Sequence, residues 1–130
     1  MTDEKLVDLA KEAMKNAYVP YSHFKVGAAL LAKDGTVFQG CNIENASYGA
    51  TNCAERTAIF KAVSEGYREF EKIAVVASSG DYASPCGICR QVLFEFLPEG
   101  KVILDSVEKG MVTYTVRELL PFGFSDADIK

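Results

Sequence analysis

The chain predicts a single α/β domain spanning residues 1–130, in three layers, with a mixed five-stranded sheet carrying helices on its faces. The first observation behind this is the element order: helical and extended patterns follow one another as helix, hairpin, helix, strand, helix, strand, strand. A second is the short β-branched run Lys72–Ala77, which reads as a fully buried strand. The third is composition. At 130 residues, 48% hydrophobic and 25% charged, the chain has ordinary globular values and the length for one core, with no internal repeat, low-complexity stretch or linker.

In chain order, Leu6, Leu9, Ala10, Ala13, Met14 and Ala17 recur at helical spacing over residues 3–17, and Pro20 stops that helix. Residues 24–32 and 36–43 read as strands joined through Lys33-Asp34-Gly35, a hairpin signal. Residues 44–52 carry loop chemistry, and Thr51 and Asn52 are placed to cap a helix over 53–65 that Gly66 closes. The buried strand 72–77 follows, then a loop from Ser78 to Pro85 and a helix from near Cys86 that ends before Pro98. Residues 102–104 and 111–114 read as two further strands. Thr115-x-x-Glu118 has the form of a capping box for a short last helix, and the tail 121–130 holds Phe122 and Phe124 with little periodicity.

Charge and composition narrow the functional classes. A net charge of −4 leaves no basic footprint for a nucleic acid polymer. The Val26–Ala32 run is far short of a membrane span. The acidic start Thr2-Asp3-Glu4-Lys5 is unlike a signal peptide, so the expected compartment is reducing cytoplasm. There, cysteines spaced C-x-x-C read as metal or redox ligands before they read as disulfides.

Cys53-Ala54-Glu55 and Pro85-Cys86-Gly87-Ile88-Cys89 carry the most chemistry. A C-x-x-C pair plus a distant third thiolate makes a metal site with three protein ligands and one open position, the pattern of a catalytic rather than a structural zinc. Both segments open predicted helices, whose N-termini favour thiolate. Glu55 is suited to moving protons at the open position, and Arg56 to offsetting thiolate charge. Residues i and i+2 diverge on a helix, so Cys53 and Glu55 converge only if Cys53 sits at a non-helical cap. Two competing readings are a closed Cys₄ site including Cys41 and a redox pair at Cys86 and Cys89. The first lacks paired spacing at Cys41, which otherwise reads as a small buried hydrophobe, and the second leaves Cys53 and Glu55 unused. On residue type alone, Phe24 and Tyr48 are also compatible with core, Glu44 with a solvated loop charge and Asn42 with a turn. His23 reads as a surface residue or a neighbour of the site.

The Cys-Ala-Glu and Pro-Cys-x-x-Cys segments resemble the zinc deaminase signature in its three-cysteine form. Together with Tyr21–Leu30, Gly40-Cys41-Asn42-Ile43-Glu44-Asn45-Ala46-Ser47-Tyr48-Gly49, Ser84–Gln91 and Glu118-Leu119-Leu120-Pro121, they make the chain similar to the small homotetrameric cytidine deaminases over nearly its whole length. The resemblance implies a cytidine deaminase-like fold, one Zn²⁺ per subunit on Cys53, Cys86 and Cys89, and Glu55 shuttling protons while cytidine or deoxycytidine becomes uridine or deoxyuridine with loss of ammonia. It also implies charge balancing by Arg56 and substrate contacts from Phe24, Asn42, Glu44, Ala54, Tyr48 and Phe124, with Asn42 and Glu44 on the ribose 3′-hydroxyl. Phe124, in preference to Phe122, would reach a neighbouring subunit of a homotetramer with shared sites. An enclosed pocket without a basic cluster would favour the free nucleoside, a small-molecule partner, over a nucleotide. Blasticidin-S deaminase shares the size and zinc motif, but Asn42-x-Glu44-Asn45-Ala46-Ser47-Tyr48 fits the cytidine branch better.

Overall fold

The structure is a computed structural model that describes residues 1–129. Its helices are α1 (Asp3–Met14), α2 (Ala54–Ser64), α3 (Gly87–Phe96) and α4 (Val116–Leu119), and its strands are β1 (Val26–Ala32), β2 (Val37–Cys41), β3 (Phe70–Ala77), β4 (Lys101–Ser106) and β5 (Gly110–Thr115). The strands form one sheet in the order β2-β1-β3-β4-β5, and β3 and β4 are its parallel pair. The parallel step needs a crossover, and α3 supplies it.

Successive side chains of a strand point to opposite faces, so β1 serves two cores at once. Ala28, Leu30 and Ala32 join Ala54, Ala58, Ile59, Leu93 and Phe94 on the side of α2 and α3. Ala29 and Leu31 join Leu6, Val7 and Ala10 of α1 on the other. This is why the run 26–32 shows no polar alternation: water reaches neither face. Each large side chain so buried contributes about 1.5–3 kcal/mol. The expected three-layer arrangement and mixed five-stranded sheet are what the chain forms.

Two glycines set how closely the layers approach. A Cβ on Gly27 would lie 2.1 Å from the Ala10 carbonyl oxygen, so α1 packs directly on β1. A Cβ on Gly40 would lie 2.5 Å from both the Ala54 carbonyl oxygen and the Ala58 nitrogen, so the start of α2 rests on the end of β2. The second contact positions the chemistry described below.

β3, β4 and β5 extend one or two residues beyond the expected 72–77, 102–104 and 111–114, and at three other boundaries a loop hydrogen bond or bridge wins over helix or strand. The first helix ends at Met14, not near residue 17, because Tyr18 is drawn to the sheet end: its N–H donates to the Asn42 carbonyl and its carbonyl accepts from the Glu44 N–H. β1 begins at Val26, not Phe24, because the Asn42 side chain takes over the ladder there. β2 ends at Cys41, and Ile43 bridges to Tyr18 and Asn52 instead. The hairpin turn is as read, with Gly35 at φ 95°, and the Thr115–Glu118 capping box is present with both of its bonds. Lys130, the last residue of the expected tail, lies outside the described residues.

Candidate metal centre

Two helix starts meet at the centre. Cys53 is the N-cap of α2, with extended backbone (φ −76°, ψ 156°), and Cys86 is the N-cap of α3 (φ −67°, ψ 170°). Thr51 and Asn52, expected as caps, are engaged elsewhere: Thr51 Oγ1 accepts from the Asn45 N–H, and Asn52 Nδ2 donates to Thr57 Oγ1. Cys53 in the cap position removes the i, i+2 difficulty, since a non-helical residue need not project along the helix surface. The Thr57 hydroxyl, one turn on, donates to the Cys53 carbonyl at 3.2 Å and holds that backbone in place. In α3 the Cys86 sulfur takes the role of a capping oxygen, accepting from the Cys89 N–H at 3.4 Å.

The ligand sulfurs of Cys53, Cys86 and Cys89 lie within 4.8 Å of one another. Cys53 Sγ and Cys86 Sγ are 3.9 Å apart. A disulfide would need about 2.05 Å. Zinc–sulfur bonds of about 2.3 Å in a tetrahedron give an edge of about 3.8 Å, so the spacing fits zinc. Cys41 is outside the group among the described residues, which removes the closed four-cysteine alternative. Cys86 is exposed, Cys53 half-buried and Cys89 buried, so the group is approached from the Cys86 side.

The electrostatics suit a cation. Hydrogen bonding with the Cys89 thiol, aided by Arg56 and opposed by burial, lowers the Cys53 thiol to about 5. Arg56 donates to Cys53 Sγ at 3.3 Å. The same bond with Cys53, then burial, drives Cys89 the opposite way, upward. A bound cation would relieve this opposition between Cys53 and Cys89, since a thiol ligates metal as the thiolate. The Arg56 Nε is buried with no hydrogen-bond partner, a donor left for further negative charge at this corner. Glu55 is 4% exposed. Burial raises its carboxyl to about 7, its own N–H pulls it back, and Cys53 adds to the rise. The Cys89 thiol and the Arg56 charge work the other way, lowering it.

The expected substrate residues are built differently. Asn42 Oδ1 accepts from the Val26 N–H at 2.9 Å, and Nδ2 donates to the Phe24 carbonyl at 2.8 Å. Glu44 Oε1 accepts from the N–H groups of Tyr21 and Ser22, both at 3.0 Å, and Oε2 accepts from the Ser22 hydroxyl. Its carboxyl is lowered by these bonds, the Ser22 hydroxyl first. Both residues therefore clamp the segment 21–26 and keep spare capacity: one amide N–H on Asn42 and a free lone pair or more on Glu44. Neither is a bare loop or turn residue, and neither clamp partner was legible in the sequence.

Phe24 is 42% exposed, Tyr48 78% and Phe124 56%, so none is core. Tyr48 meets the Tyr21 ring edge-on. The three rings expected to contact substrate are therefore exposed in the single chain. Ala54 is wholly buried, its methyl in the core beneath α2, which leaves at most its backbone to serve a ligand. His23 stands exposed at φ 59° beside Glu44 and is no member of the sulfur group.

Residues 1–105 match the family model for the cytidine and deoxycytidylate deaminase zinc-binding region. A cytidine deaminase of Sporosarcina psychrophila is 54% identical, the alignment covering 100% of this chain and 96% of that protein. A blasticidin-S deaminase of Bacillus cereus is 33% identical over 95% of this chain and 92% of its own length. The 1.6 Å crystal structure of cytidine deaminase from Burkholderia pseudomallei superimposes with a TM-score of 0.91 at 50% identity, covering 95% of this chain and all of that one. With a matching fold, a matching sequence and three thiols at zinc spacing, the chain belongs to the cytidine and deoxycytidylate deaminase zinc-binding family.

Proposed function

We propose that the chain is a cytidine deaminase, a zinc hydrolase that converts cytidine and deoxycytidine to uridine and deoxyuridine, with release of ammonia, in pyrimidine salvage. One observation carries the reading: three thiols within 4.8 Å of one another, two of them 3.9 Å apart, with the buried carboxyl of Glu55 on the turn that Cys53 caps. Cys53, Cys86 and Cys89 would hold the ion, which when bound supplies Lewis acidity and a water acidified toward neutral pH. Glu55 takes one proton of the attacking water to pyrimidine N3, then carries the other, from the hydroxyl formed at C4, to the amine as the C4–N bond breaks and the C4 carbonyl forms. A carboxyl serves because each step needs both acceptance and donation at one point. Arg56, bonded to Cys53 Sγ, offsets thiolate charge.

Phe24 packs on the pyrimidine, while the spare capacity of Asn42 and Glu44 takes the ribose 3′-hydroxyl. The Ala54 backbone, Tyr48, and Phe124 from a neighbouring subunit complete the site. The exposure of these three aromatics supports an assembly, a homotetramer, in which a second chain covers them. Residues 1–130 are read as one zinc-dependent deaminase domain, since the helices of both faces pack on one sheet. No helix among the described residues is long and apolar enough to cross a membrane, and the reading places the enzyme in the cytoplasm without a nucleic acid partner.

The ultraviolet absorbance of cytidine, followed with purified protein, tests this. Turnover of cytidine and deoxycytidine at comparable rates, lost with a strong chelator and restored by zinc, is expected. Cytidine monophosphate should be a poor substrate, and its equal turnover would refute the nucleoside preference.

A further inference from the structure

We propose that Arg90 and Gln91, the two residues after the last cysteine, tie the metal-binding turn to the C-terminal tail, so that zinc affinity and tail placement are coupled. The proposal rests on the reading of Cys53, Cys86 and Cys89 as zinc ligands.

The Arg90 guanidinium spans three acceptors. Its Nε donates to the Pro85 carbonyl at 2.8 Å, and its two terminal nitrogens donate to the Leu119 carbonyl at 2.9 Å and the Ser84 hydroxyl at 3.3 Å. Ser84 and Pro85 immediately precede the Cys86 cap and belong to no helix or strand, so these bonds orient the peptide leading into a ligand. Leu119 is the last residue of α4, where the tail begins. Gln91 Nε2 then donates to the Phe124 carbonyl at 2.8 Å.

Between these anchors the chain has little freedom. Phe122 adopts φ 57°, left-handed for a residue with a side chain, and stands fully exposed. Gly123 lies so close to the Phe94 ring that a Cβ would come within 2.8 Å of it. The segment 119–124 is thus held at both ends and in its middle by α3, the helix that carries Cys89 and is capped by Cys86.

A planar guanidinium is pre-organised to hold several acceptors together, and an ammonium is not. Releasing the tail removes the Leu119 acceptor and frees the guanidinium to swing from Pro85. Releasing the metal loosens the Cys86 turn and frees it from the other side. Such coupling is reciprocal. Arg90 is a positioning residue here, acting through Cys86 rather than on substrate.

Zinc affinity of the full-length protein, by competition with a chromogenic chelator, and tail hydrogen exchange, by mass spectrometry, test the coupling together. Arg90→Gln should weaken zinc about 10–100-fold, the usual effect of losing a group that orients a ligand, and should speed exchange across 119–124. Arg90→Lys keeps the charge and should recover little of either. In the unaltered protein, stripping zinc should speed tail exchange, whereas in Arg90→Gln the tail should be fast and indifferent to zinc. A purely structural role would instead raise exchange throughout the chain. Should Arg90→Gln fail to fold, Ser84→Ala removes only the 3.3 Å bond and should weaken zinc about threefold, a small part of the same effect. Unchanged zinc affinity in these variants, or tail exchange blind to zinc in the unaltered protein, overturns the proposal. Zinc retained by Cys86→Ala would instead overturn the ligand reading beneath it.

Discussion

The sulfur corner and the aromatic rim of this protein are built in opposite ways. At the corner, two helix caps bring Cys53 and Cys86 to 3.9 Å, and the neighbours Glu55, Arg56 and Thr57 come from the same helical turn. At the rim, Asn42 and Glu44 grip residues 21–26 across a wide gap in sequence, Tyr48 meets the Tyr21 ring, and the rings of Phe24 and Tyr48 remain exposed. The sulfur corner is assembled from caps within one chain, whereas the rings of Phe24 and Tyr48 stand exposed in it. On the proposed function, the metal chemistry sits on rigid caps and substrate recognition falls to surfaces that a second chain would cover.

That contrast can be broken at four points, in falling order of effect. Glu55→Gln should keep the zinc content and fold and lower kcat by about 10²–10⁴-fold, the usual worth of a positioned acid–base group. A variant with near-normal kcat would show that the corner is structural.

Gly40→Ala places a methyl 2.5 Å from the Ala54 carbonyl oxygen and the Ala58 nitrogen. The start of α2 must shift, costing about 1–3 kcal/mol by urea unfolding and weakening zinc, since Cys53 moves with the helix. Unchanged stability with unchanged zinc affinity would mean the corner does not depend on that close approach.

Asn42→Ala probes the rim. It leaves the Val26 N–H and Phe24 carbonyl without their partner, for about 1–3 kcal/mol of stability, and should raise the KM for cytidine about tenfold or more with zinc content intact. Loss of zinc there would mean that rim and corner are one unit. Cys41→Ala is the control with the smallest expected effect: zinc content and kcat should stay within about twofold of the unaltered protein, because a half-buried thiol of this kind serves as a small hydrophobe.

Particular residues show why one region was more legible than the other. Cys53, Glu55, Cys86 and Cys89 declare themselves by type and spacing, and helix-cap geometry, which is local, makes their convergence foreseeable. The three thiols cluster as that spacing implies, and Cys53, rather than the expected Thr51 or Asn52, takes the cap. Asn42 and Glu44 could be marked only through resemblance, because their partners lie 16 to 23 positions away and no local pattern announces such a bond. Arg90 shows the same limit. An arginine after C-x-x-C is an ordinary helix residue in sequence, and its reach to Leu119, 29 positions on, exists only once α3 and α4 have packed.

By itself, then, the amino-acid order determined the alternation of helices and strands, the buried β3 and the three cysteines that come together, since each follows from periodicity or from side-chain type and spacing. Only tertiary structure decided where α1 and β2 stop and β1 begins, which backbone segment Asn42 and Glu44 clamp, and how exposed one chain leaves its aromatic rings. Those outcomes depend on hydrogen bonds and close approaches between distant segments, whose free energies appear only when the layers have come together.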